Sequence, residues 1–492
     1  MNPIAAIICA DDAPPDSALL NDLNNHSLIK KVIILSRPVA AFVVSGSNDT
    51  IAASFPLGGN ALELALEKAQ PCPFVLMIPK PRGVRIFKEG IEGLLQRAQE
   101  TGAGLCYADY YEENQSQGLE VIDYQPGSIR DDFFFGPLML FKKEALDAAR
   151  EKYGPLQDTR WGGLYELRLR ISRSAGVARI PEPLSIAAKD FRKEVTRSLF
   201  DYVDPARVAY QQEMEALATE HLKEIGAYVR PSCRTVPHDA SAYPVEASVV
   251  IPLRNREKTI ADAIKSALGQ KTAFPFNVIV VQNHSTDKTG ERVEELAHKD
   301  ARVVHIIPQR ADLGIGGCWN EAIMSPQCGR YVCQLDSDDL YADDGTLASV
   351  IAMLKAEEYG MVVGTYRVVN FSLHEIPPGL VEHREWTEEN GRNNLLRVHG
   401  IGAPRAFPAS LLRKHPFPNV SYGEDYAIAL RISREYRVGR IFKPLYLCRR
   451  WEGNSDANLS HEQENCYAYY KDGLRTQEIQ ERIEAAAGKG VT

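Results

Sequence analysis

The sequence predicts an α/β protein made of two tandem Rossmann-like domains with mainly parallel sheets. From Ala247 onward, short apolar segments alternate with helical patterns, which is typical of βαβ units. Segments of the first half recur in the second half at a nearly constant spacing, which indicates a second copy of one fold. The length of 492 residues allows two or three domains of roughly 150 residues each.

The second half contains the clearest series of elements. Its first strand follows a stretch rich in Pro, Ser and Ala, from Pro231 to Pro244, that is typical of a linker. Open parallel sheets bind ligands beyond the carboxyl ends of their strands, so polar residues at those ends are candidates for chemistry. The predicted strands are 248–252, 277–281, 303–307 and 331–335, and the predicted helices are 259–268, 289–298 and 317–324.

The repeat is carried by residues that match without a gap. Arg170–Arg173 (RISR) recurs 261 residues later as Arg431–Arg434, and the match continues into the following strand. Phe74-Val75 matches Tyr331-Val332 at a spacing of 257 residues. Amphipathic segments also resemble one another by chance, but agreement across helix, turn and strand favours a duplication.

These patterns divide the chain into three parts. We predict a first α/β domain over residues 1–190 and a second over residues 246–492. Between them, residues 191–245 carry apolar residues at helical spacing and then the linker composition, which predicts a helical connector.

Composition and charge exclude several classes of protein. Lys and Arg total 57 against 65 Asp and Glu, and the net charge of -8 argues against nucleic-acid binding by bulk charge. No apolar run reaches the roughly 18 residues of a membrane span, and the first residues resemble a buried strand rather than a signal peptide. The nine cysteines form no C-x-x-C pair, so we expect a reducing, cytoplasmic compartment without structural zinc.

Acidic residues end the fourth strand of the second half as Asp336-Ser337-Asp338-Asp339. Three carboxylates in so short a loop repel one another unless a cation lies among them. Oxygen ligands of this kind suit Mg²⁺ or Mn²⁺ bound to substrate phosphates. The alternative is an acidic loop or the N-cap of the next helix.

A second acidic pair, Glu424-Asp425, precedes a predicted helix that ends near Tyr436. Acidic residues at a helix N-terminus also occur simply because they stabilise the helix dipole. The pair alone therefore leaves both interpretations open.

Taken in order, five motifs resemble those of glycosyltransferase family 2, whose fold is called GT-A. The resemblance covers residues 247–460, about half of the chain. The motifs are Val249–Pro252, Ile279–Val281 with Ser285–Asp287, Asp312–Gly314 with Asn320, Asp336–Asp339 and Glu424-Asp425.

The resemblance implies a metal-dependent, inverting transfer of a sugar from a nucleotide sugar to an acceptor hydroxyl by the C-terminal domain. Asp338 would hold Mn²⁺ or Mg²⁺ on the donor diphosphate, and Asp336 would lie at the metal or at the donor ribose. Asp425, next to Glu424, would accept the proton of the attacking hydroxyl. A retaining transferase of the same fold and a non-catalytic sugar- or nucleotide-binding scaffold stay open as alternatives.

The resemblance also implies a donor site and two kinds of partner. We expect a UDP-sugar, with a GDP-sugar as the alternative, and a glycan or glycoconjugate hydroxyl as acceptor. Where the family usually carries acidic residues for the base N–H, this sequence has amides, whose oxygens also accept hydrogen bonds. The expected donor-binding residues are Pro252, Arg254, Gln282, Asn283, Gly314, Asn320, Asp336 and Arg450.

Two further segments depart from the family pattern or extend it. Trp451 occupies the region where family members often place a metal-binding His, so His461 is expected to substitute, with a surface His as the alternative. The segment Arg392–Phe407 is expected to contribute the hydrogen-bond donors His399 and Arg405 to the sugar pocket, with a structural loop as the alternative. Glu382–Trp386, just before it, is expected to form part of a lid.

The first copy lacks this chemistry. Pro79-Lys80-Pro81-Arg82 replaces the acidic loop, and Gly163-Leu164 replaces the Glu-Asp pair. Because Lys80 and Arg82 would repel a divalent cation, we predict that the N-terminal domain is a degenerate GT-A-like copy without metal-dependent activity.

Overall fold

The computed structural model describes residues 2–10, 14–38, 48–195, 201–356, 359–454 and 459–488. The chain divides into two compact units. Unit 1 comprises Met1–Asp201, Ala206–Tyr228 and Ser460–Thr492, and unit 2 comprises Tyr202–Pro205 and Val229–Leu459.

The N-terminal half alternates strands and helices around two central strands, β1 and β4, that are buried along their whole length. Continuous apolar strands of this kind are typical of a sheet covered on both faces. The elements are β1 (Ile4–Ala10), α1 (Ser17–Asn24), β2 (Ile29–Ser36), β3 (Asp49–Ala52), α2 (Gly59–Lys68), β4 (Phe74–Ile78), β5 (Arg85–Ile86), α3 (Lys88–Thr101), β6 (Leu105–Glu112), β7 (Gly118–Leu119), β8 (Met139–Lys142), α4 (Lys143–Tyr153), α5 (Gly163–Ser174), β9 (Val177–Ala187), α6 (Phe191–Val195), two short 3-10 turns (Asp201–Val203 and Pro205–Arg207) and α7 (Val208–Glu224).

The C-terminal half repeats this series and then adds one long helix. Strands β10 and β11 are again fully buried. The elements are β10 (Ala247–Leu253), α8 (Ile260–Leu268), β11 (Phe276–Gln282), α9 (Thr289–Lys299), β12 (Val303–Ile306), α10 (Ile315–Met324), β13 (Tyr331–Gln334), β14 (Leu340–Tyr341), α11 (Thr346–Lys355), β15 (Tyr359–Asn370), β16 (Glu375–Val381), α12 (Gly391–Asn394), β17 (Arg405–Pro408), α13 (Ala409–Lys414), α14 (Glu424–Glu435), β18 (Arg437–Arg450) and α15 (His461–Gly488).

The two sheets have the same strand order. In unit 1 it is β3-β2-β1-β4-β8-β6-β9-β5 with β7 on β6, and in unit 2 it is β12-β11-β10-β13-β17-β15-β18-β14 with β16 on β15. Helices α5 and α14 also begin and end at positions 261 residues apart. The predicted fold class of two tandem α/β domains with one topology is therefore confirmed, although the sheets are mixed rather than mainly parallel.

Each sheet is mixed, because its fifth strand along the sheet is reversed. In unit 2, β12, β11, β10 and β13 run parallel, and β17 then pairs antiparallel with both β13 and β15. The four parallel strands are those that the alternating pattern predicts. The reversed strand β17 has only four residues, too few for a sequence pattern to identify.

The unit boundaries differ from the predicted parts in two places. Helix α15 was expected in the second domain, yet its residues group with unit 1. There Asp472 accepts hydrogen bonds from the Ser128 hydroxyl and from Arg130. The predicted connector is not a separate part, since α7 belongs to unit 1 and the segment after it to unit 2.

Among the helices of the described ranges, none has the length and apolar character needed to cross a bilayer.

A close approach of backbone fixes the start of α10 beside the segment that leads into α14. A Cβ added to Gly316 would lie 1.9 Å from the carbonyl oxygen of Pro418. The Gly316 N–H also donates to the carbonyl of Val420 at 2.9 Å. Only a glycine fits here, and the contact places the N-terminus of α14 at the carboxyl edge of the sheet.

We expect Gly316→Ala to lower the free energy of unfolding by about 1–3 kcal/mol, because the added methyl group forces backbone apart. Urea unfolding followed by circular dichroism measures this. Gly345→Ala is the control, since the nearest atom to a Cβ at that position is 3.6 Å away. Equal losses in both variants would contradict the packing argument.

Candidate active site

The acidic loop lies at the carboxyl end of β13, and its first residue, Asp336, is held from two sides. The Gln334 amide nitrogen donates to both carboxylate oxygens of Asp336, at 2.9 and 3.0 Å. The Asp336 N–H donates to the hydroxyl oxygen of Tyr446 at 2.9 Å. Gln334 also accepts the Arg405 N–H at 3.2 Å, so one amide side chain connects the acidic loop with β17.

The end of β18 encloses the second carboxylate. The indole N–H of Trp451 and the amide of Asn454 donate to Oδ2 of Asp338, at 3.1 and 3.2 Å. The side chain of Arg449 donates to the Asp338 carbonyl, and its backbone N–H donates to Asp339 at 2.7 Å. Sequence reasoning considered Trp451 only as a missing metal ligand and did not find its role as a donor to Asp338.

The carboxylates of this loop are difficult to ionise together. Burial raises the pKa of Asp336 above its usual value, against the opposing charge of Arg405. Burial also raises the pKa of Asp339 well above its usual value, and the charges of Asp336 and Asp338 add to this effect. Such a cluster favours either bound protons or a bound cation.

The carboxylate oxygens of this loop suit a hard divalent cation that takes its other ligands from substrate and water. They do not form a metal site made of protein ligands alone. In the described part of the chain, no set of three His, Cys, Asp or Glu side chains is arranged to hold a metal. Mg²⁺ and similar cations need only one or two carboxylates when substrate phosphates and water supply the other ligands. Asp336 and Asp338 provide that number of carboxylates.

Glu424 and Asp425 are the first two residues of α14. Glu424 is 9% exposed, and its Oε2 has no hydrogen-bond partner among the described residues. Burial, together with the neighbouring charge of Asp425, raises the pKa of Glu424 to about 8. The more exposed Asp425 accepts the N–H of Tyr426 at 2.7 Å through Oδ1, while Oδ2 faces Arg405.

Arg405 joins the two acidic motifs. Its Nη1 lies 3.0 Å from Asp425 Oδ2 and donates to the Gly402 carbonyl at 2.7 Å. Burial opposes the charge on Arg405, but the carboxylates of Asp425, Asp336 and Glu424 raise its pKa. The structure thus brings the Asp336 loop and the Glu424-Asp425 pair to one guanidinium, although 85 residues or more separate them in sequence.

The two neighbouring amides at the end of β11, Gln282 and Asn283, differ in their hydrogen bonds. Gln282 Oε1 is bonded to His305 Nε2 at 2.9 Å. Asn283 donates through Nδ2 to the Leu313 carbonyl at 2.7 Å, and within the described part of the chain its buried Oδ1 has no hydrogen-bond partner. Of the two predicted base-binding amides, only Asn283 keeps an acceptor atom available.

The predicted donor residues of α10 have structural partners. The Gly314 N–H donates to the Asn419 side chain at 2.7 Å. Asn320 is bonded on both sides to the backbone of Phe417, at 2.9 and 3.0 Å, so its side chain holds the loop before α14 rather than facing a donor. Trp319 stacks on Phe417 with ring centroids 5.2 Å apart, which places it in the interior.

Three further predicted donor residues lie at the ends of strands. Pro252 is buried in β10, opposite Val281 of β11. Arg254 follows that strand and is exposed. Arg450 ends β18, next to Trp451 and opposite Asn370 of β15.

The expectation for His461 does not match the structure. His461 begins α15, which groups with unit 1. Its Nε2 is bonded to the Glu120 carbonyl at 2.6 Å, and its Nδ1 lies 3.1 Å from Arg192. Both ring nitrogens are therefore engaged, and we no longer assign His461 to a metal.

The corresponding place in unit 1 carries no carboxylate. The residues after β4 are Pro79-Lys80-Pro81-Arg82, and α5 begins with Gly163-Leu164. Asp109, which lies on β6, is instead bonded by both oxygens to Arg179, at 2.9 and 2.7 Å. Asp109 therefore has a structural role, since it pairs with Arg179 of β9.

Comparisons with known proteins concern the C-terminal half. Residues 248–416 match the family model described as glycosyl transferase family 2. The chain is 29% identical over 195 residues to the UDP-Glc:alpha-D-GlcNAc-diphosphoundecaprenol beta-1,3-glucosyltransferase WfgD of Escherichia coli, which covers 39% of this chain and 72% of that protein.

Two further similarities have lower coverage or lower identity. The GalNAc(5)-diNAcBac-PP-undecaprenol beta-1,3-glucosyltransferase of Campylobacter jejuni is 28% identical over 209 residues, 40% of this chain and 65% of that protein. Residues 1–349 of S. aureus TarS, solved in complex with UDP-GlcNAc, align with a TM-score of 0.38 and 20% identity, over 48% of this chain and 70% of that one.

The raised pKa of Glu424 predicts a pH dependence of stability. In the folded state this pKa is about 8, against a usual value of 4.5, so the folded protein binds a proton that the unfolded chain releases. The free energy of unfolding should therefore fall as pH rises from about 5 to about 8, by up to about 4 kcal/mol for this group.

Glu424→Gln cannot ionise and should lose less stability over the same range. Urea unfolding of both proteins between pH 5 and pH 9 measures the difference. Parallel curves for the two proteins would show that Glu424 does not hold its proton.

Proposed function

We propose that unit 2 transfers a sugar from a nucleoside diphosphate sugar to an acceptor hydroxyl, and the match of residues 248–416 to the family model of glycosyl transferase family 2 supports this proposal. The observation that carries the proposal is the convergence of Asp336 and Asp425 on Arg405. The Asp336 loop supplies carboxylates for a cation that binds the diphosphate, and the Glu424-Asp425 pair supplies a base.

For the donor, we propose a nucleotide whose base offers an N–H to Asn283. The unpartnered Oδ1 of Asn283 lies at the end of β11, where sheets of this type bind nucleotides. Uracil carries such an N–H, and guanine does as well, so a UDP-sugar is the first choice and a GDP-sugar the second. The glucosyltransferase of Escherichia coli described above uses UDP-Glc by its name.

For the cation, we propose Mn²⁺ or Mg²⁺ held by Asp336 and Asp338. When bound, the cation would neutralise the charge of the leaving diphosphate. The Trp451 and Asn454 side chains fix Oδ2 of Asp338, so they would orient this carboxylate.

For the chemical step, we propose that Asp425 is the base. The acceptor oxygen attacks the anomeric carbon while its proton moves to the Asp425 carboxylate, and the bond from that carbon to the diphosphate oxygen breaks. Attack from the face opposite the leaving group inverts the anomeric configuration. Arg405 favours the ionised form of Asp425, which a base requires.

The acceptor and the cellular location are proposed from the names of the relatives and from the cysteines. The two glucosyltransferases described above are named for acceptors that carry a diphosphoundecaprenol. We propose a glycan or glycoconjugate hydroxyl as acceptor. All nine cysteines are free thiols, which fits a reducing compartment such as the cytoplasm. Unit 1 is proposed to have no transferase activity, since it lacks both acidic motifs.

We expect Asp425→Asn to lower kcat of sugar transfer by about 10²–10⁴-fold, the usual contribution of a general base. Release of the nucleoside diphosphate from a panel of nucleotide sugars and glycan acceptors measures this, with Mn²⁺ and with EDTA. Donor affinity, measured by calorimetry, should stay within twofold.

Glu291→Gln is the matched control, because Glu291 is also an acidic residue in the first turn of a helix, α9. Full turnover by the Asp425 variant would refute the base assignment. Full turnover in EDTA would refute the cation, and a product of retained configuration by NMR would refute inversion.

We expect Asn283→Ala to weaken UDP binding about tenfold, the effect of one lost hydrogen bond of about 1.4 kcal/mol. Asn283→Asp keeps an acceptor oxygen and should bind UDP more tightly than the alanine variant. Gln282→Ala is the control, since its oxygen is already bonded to His305. Equal weakening by the Gln282 and Asn283 variants would contradict the assignment of the base to Asn283.

A further inference from the structure

Unit 2 contains a buried histidine–glutamate pair outside the two acidic motifs. His383 is 1% exposed and its Nδ1 lies 2.8 Å from Glu385 Oε1. Burial lowers the pKa of His383, and although burial opposes the charge of Glu385, the neighbouring His383 lowers the pKa of that carboxyl. The short distance between Nδ1 and Oε1 places a hydrogen on Nδ1 that is donated to the carboxylate, and this contact fixes the orientation of the ring.

The surroundings hold the ring from several elements. The rings of Tyr202 and Tyr366 lie with centroids 5.6 and 5.9 Å from that of His383. The charged groups facing the pair are Arg440 from β18 and Arg405 from β17. The backbone of His383 has φ +52°, a left-handed conformation that a non-glycine residue keeps only when its side chain is held firmly.

The ring occupies the space beside Gly402. A Cβ at Gly402 would lie 2.6 Å from Cδ2 of His383 and 2.9 Å from its Nε2, and Gly402 has φ +100°. The glycine therefore allows the imidazole to pack directly on the backbone at this point. A displaced ring would leave the Gly402 backbone without support on that side.

The backbone at Gly402 holds the cation that contacts the base. Arg440 donates to the Ile401 carbonyl at 2.6 Å, and Arg405 donates to the Gly402 carbonyl at 2.7 Å. The same Nη1 of Arg405 lies 3.0 Å from Asp425. Packing and hydrogen bonds thus form a continuous series from Glu385 through His383, Gly402 and Arg405 to Asp425.

We propose that His383, oriented by Glu385, is a positioning residue. It fixes the position of the Asp425 carboxylate through Gly402 and Arg405. This inference rests on the proposed function and extends it, because it assigns a role to residues outside the two acidic motifs. The segment was expected to form part of a lid, but Trp386 packs on Gly391 and on Arg440, whose guanidinium lies 5.2 Å from its ring.

Displacement of a catalytic group by about 1 Å costs on the order of 100-fold in rate. We therefore expect His383→Ala to lower kcat by about 10–100-fold while the affinity for UDP, measured by calorimetry, stays within twofold. Imidazole added at millimolar concentration should restore part of kcat, because it fills the vacated space.

Glu385→Ala should act in the same direction, and the double variant should be no slower than His383→Ala, since both residues act through one series of contacts. The control pair is His298 and Glu294 on α9, whose side chains lie 3.8 Å apart and are 79% and 68% exposed. Alanine at either control position should leave kcat unchanged. A kcat of His383→Ala within twofold of wild type, an equal loss of UDP affinity, or additive losses in the double variant would each overturn the proposal.

A second measurement does not depend on turnover. Amide hydrogen exchange across residues 401–408 should accelerate in His383→Ala and not in His298→Ala, because Gly402 and Arg405 lose their support. Unchanged exchange there would overturn the inference by itself. Absence of transfer by the wild-type protein with every donor and acceptor would instead refute the proposed function, and the exchange result would still stand.

Discussion

The arrangement of unit 2 depends on one buried guanidinium among carboxylates. Arg405 lies close enough to Asp336, Glu424 and Asp425 for all three to raise its pKa, and its contact with Asp425 is 3.0 Å. Without that cation, buried carboxylates would repel one another and bind protons. Its guanidinium pairs with Asp425, while burial and the charge of Asp425 raise the pKa of the neighbouring Glu424. The charge of Asp425 is therefore balanced by a side chain of the protein itself, whereas the Asp338–Asp339 cluster still favours a cation.

The two units separate fold from chemistry. Their sheets have one strand order, and α5 corresponds to α14 residue for residue, yet the first unit has Gly163-Leu164 where the second has Glu424-Asp425. The strand order depends on apolar strands and short connections, which both units keep. The chemistry depends on a few side chains at strand and helix ends, and these can be lost without loss of the sheet. Fold similarity therefore carries no activity to unit 1.

Much of the fold was predictable because hydrophobic periodicity is a local property. The alternation from Ala247 to Leu335 and the repeat of Arg170–Arg173 led to the correct fold class. The reversed strand β17 and the grouping of α15 with unit 1 were not predictable in this way. Four residues give no period, and α15 packs through buried ion pairs such as Arg130 with Asp472 that depend on distant segments.

The sequence by itself determined the class of each unit, the order of the acidic motifs and their absence from the first copy, because these are properties of residue type along the chain. Only the tertiary structure decided which side chains have atoms to spare. Gln282 is bonded to His305 and Asn320 to Phe417, and both ring nitrogens of His461 have partners. Within the described part of the chain, Asn283 Oδ1 has no hydrogen-bond partner. Hydrogen-bond partners come from segments far apart in sequence, so their assignment requires the folded chain.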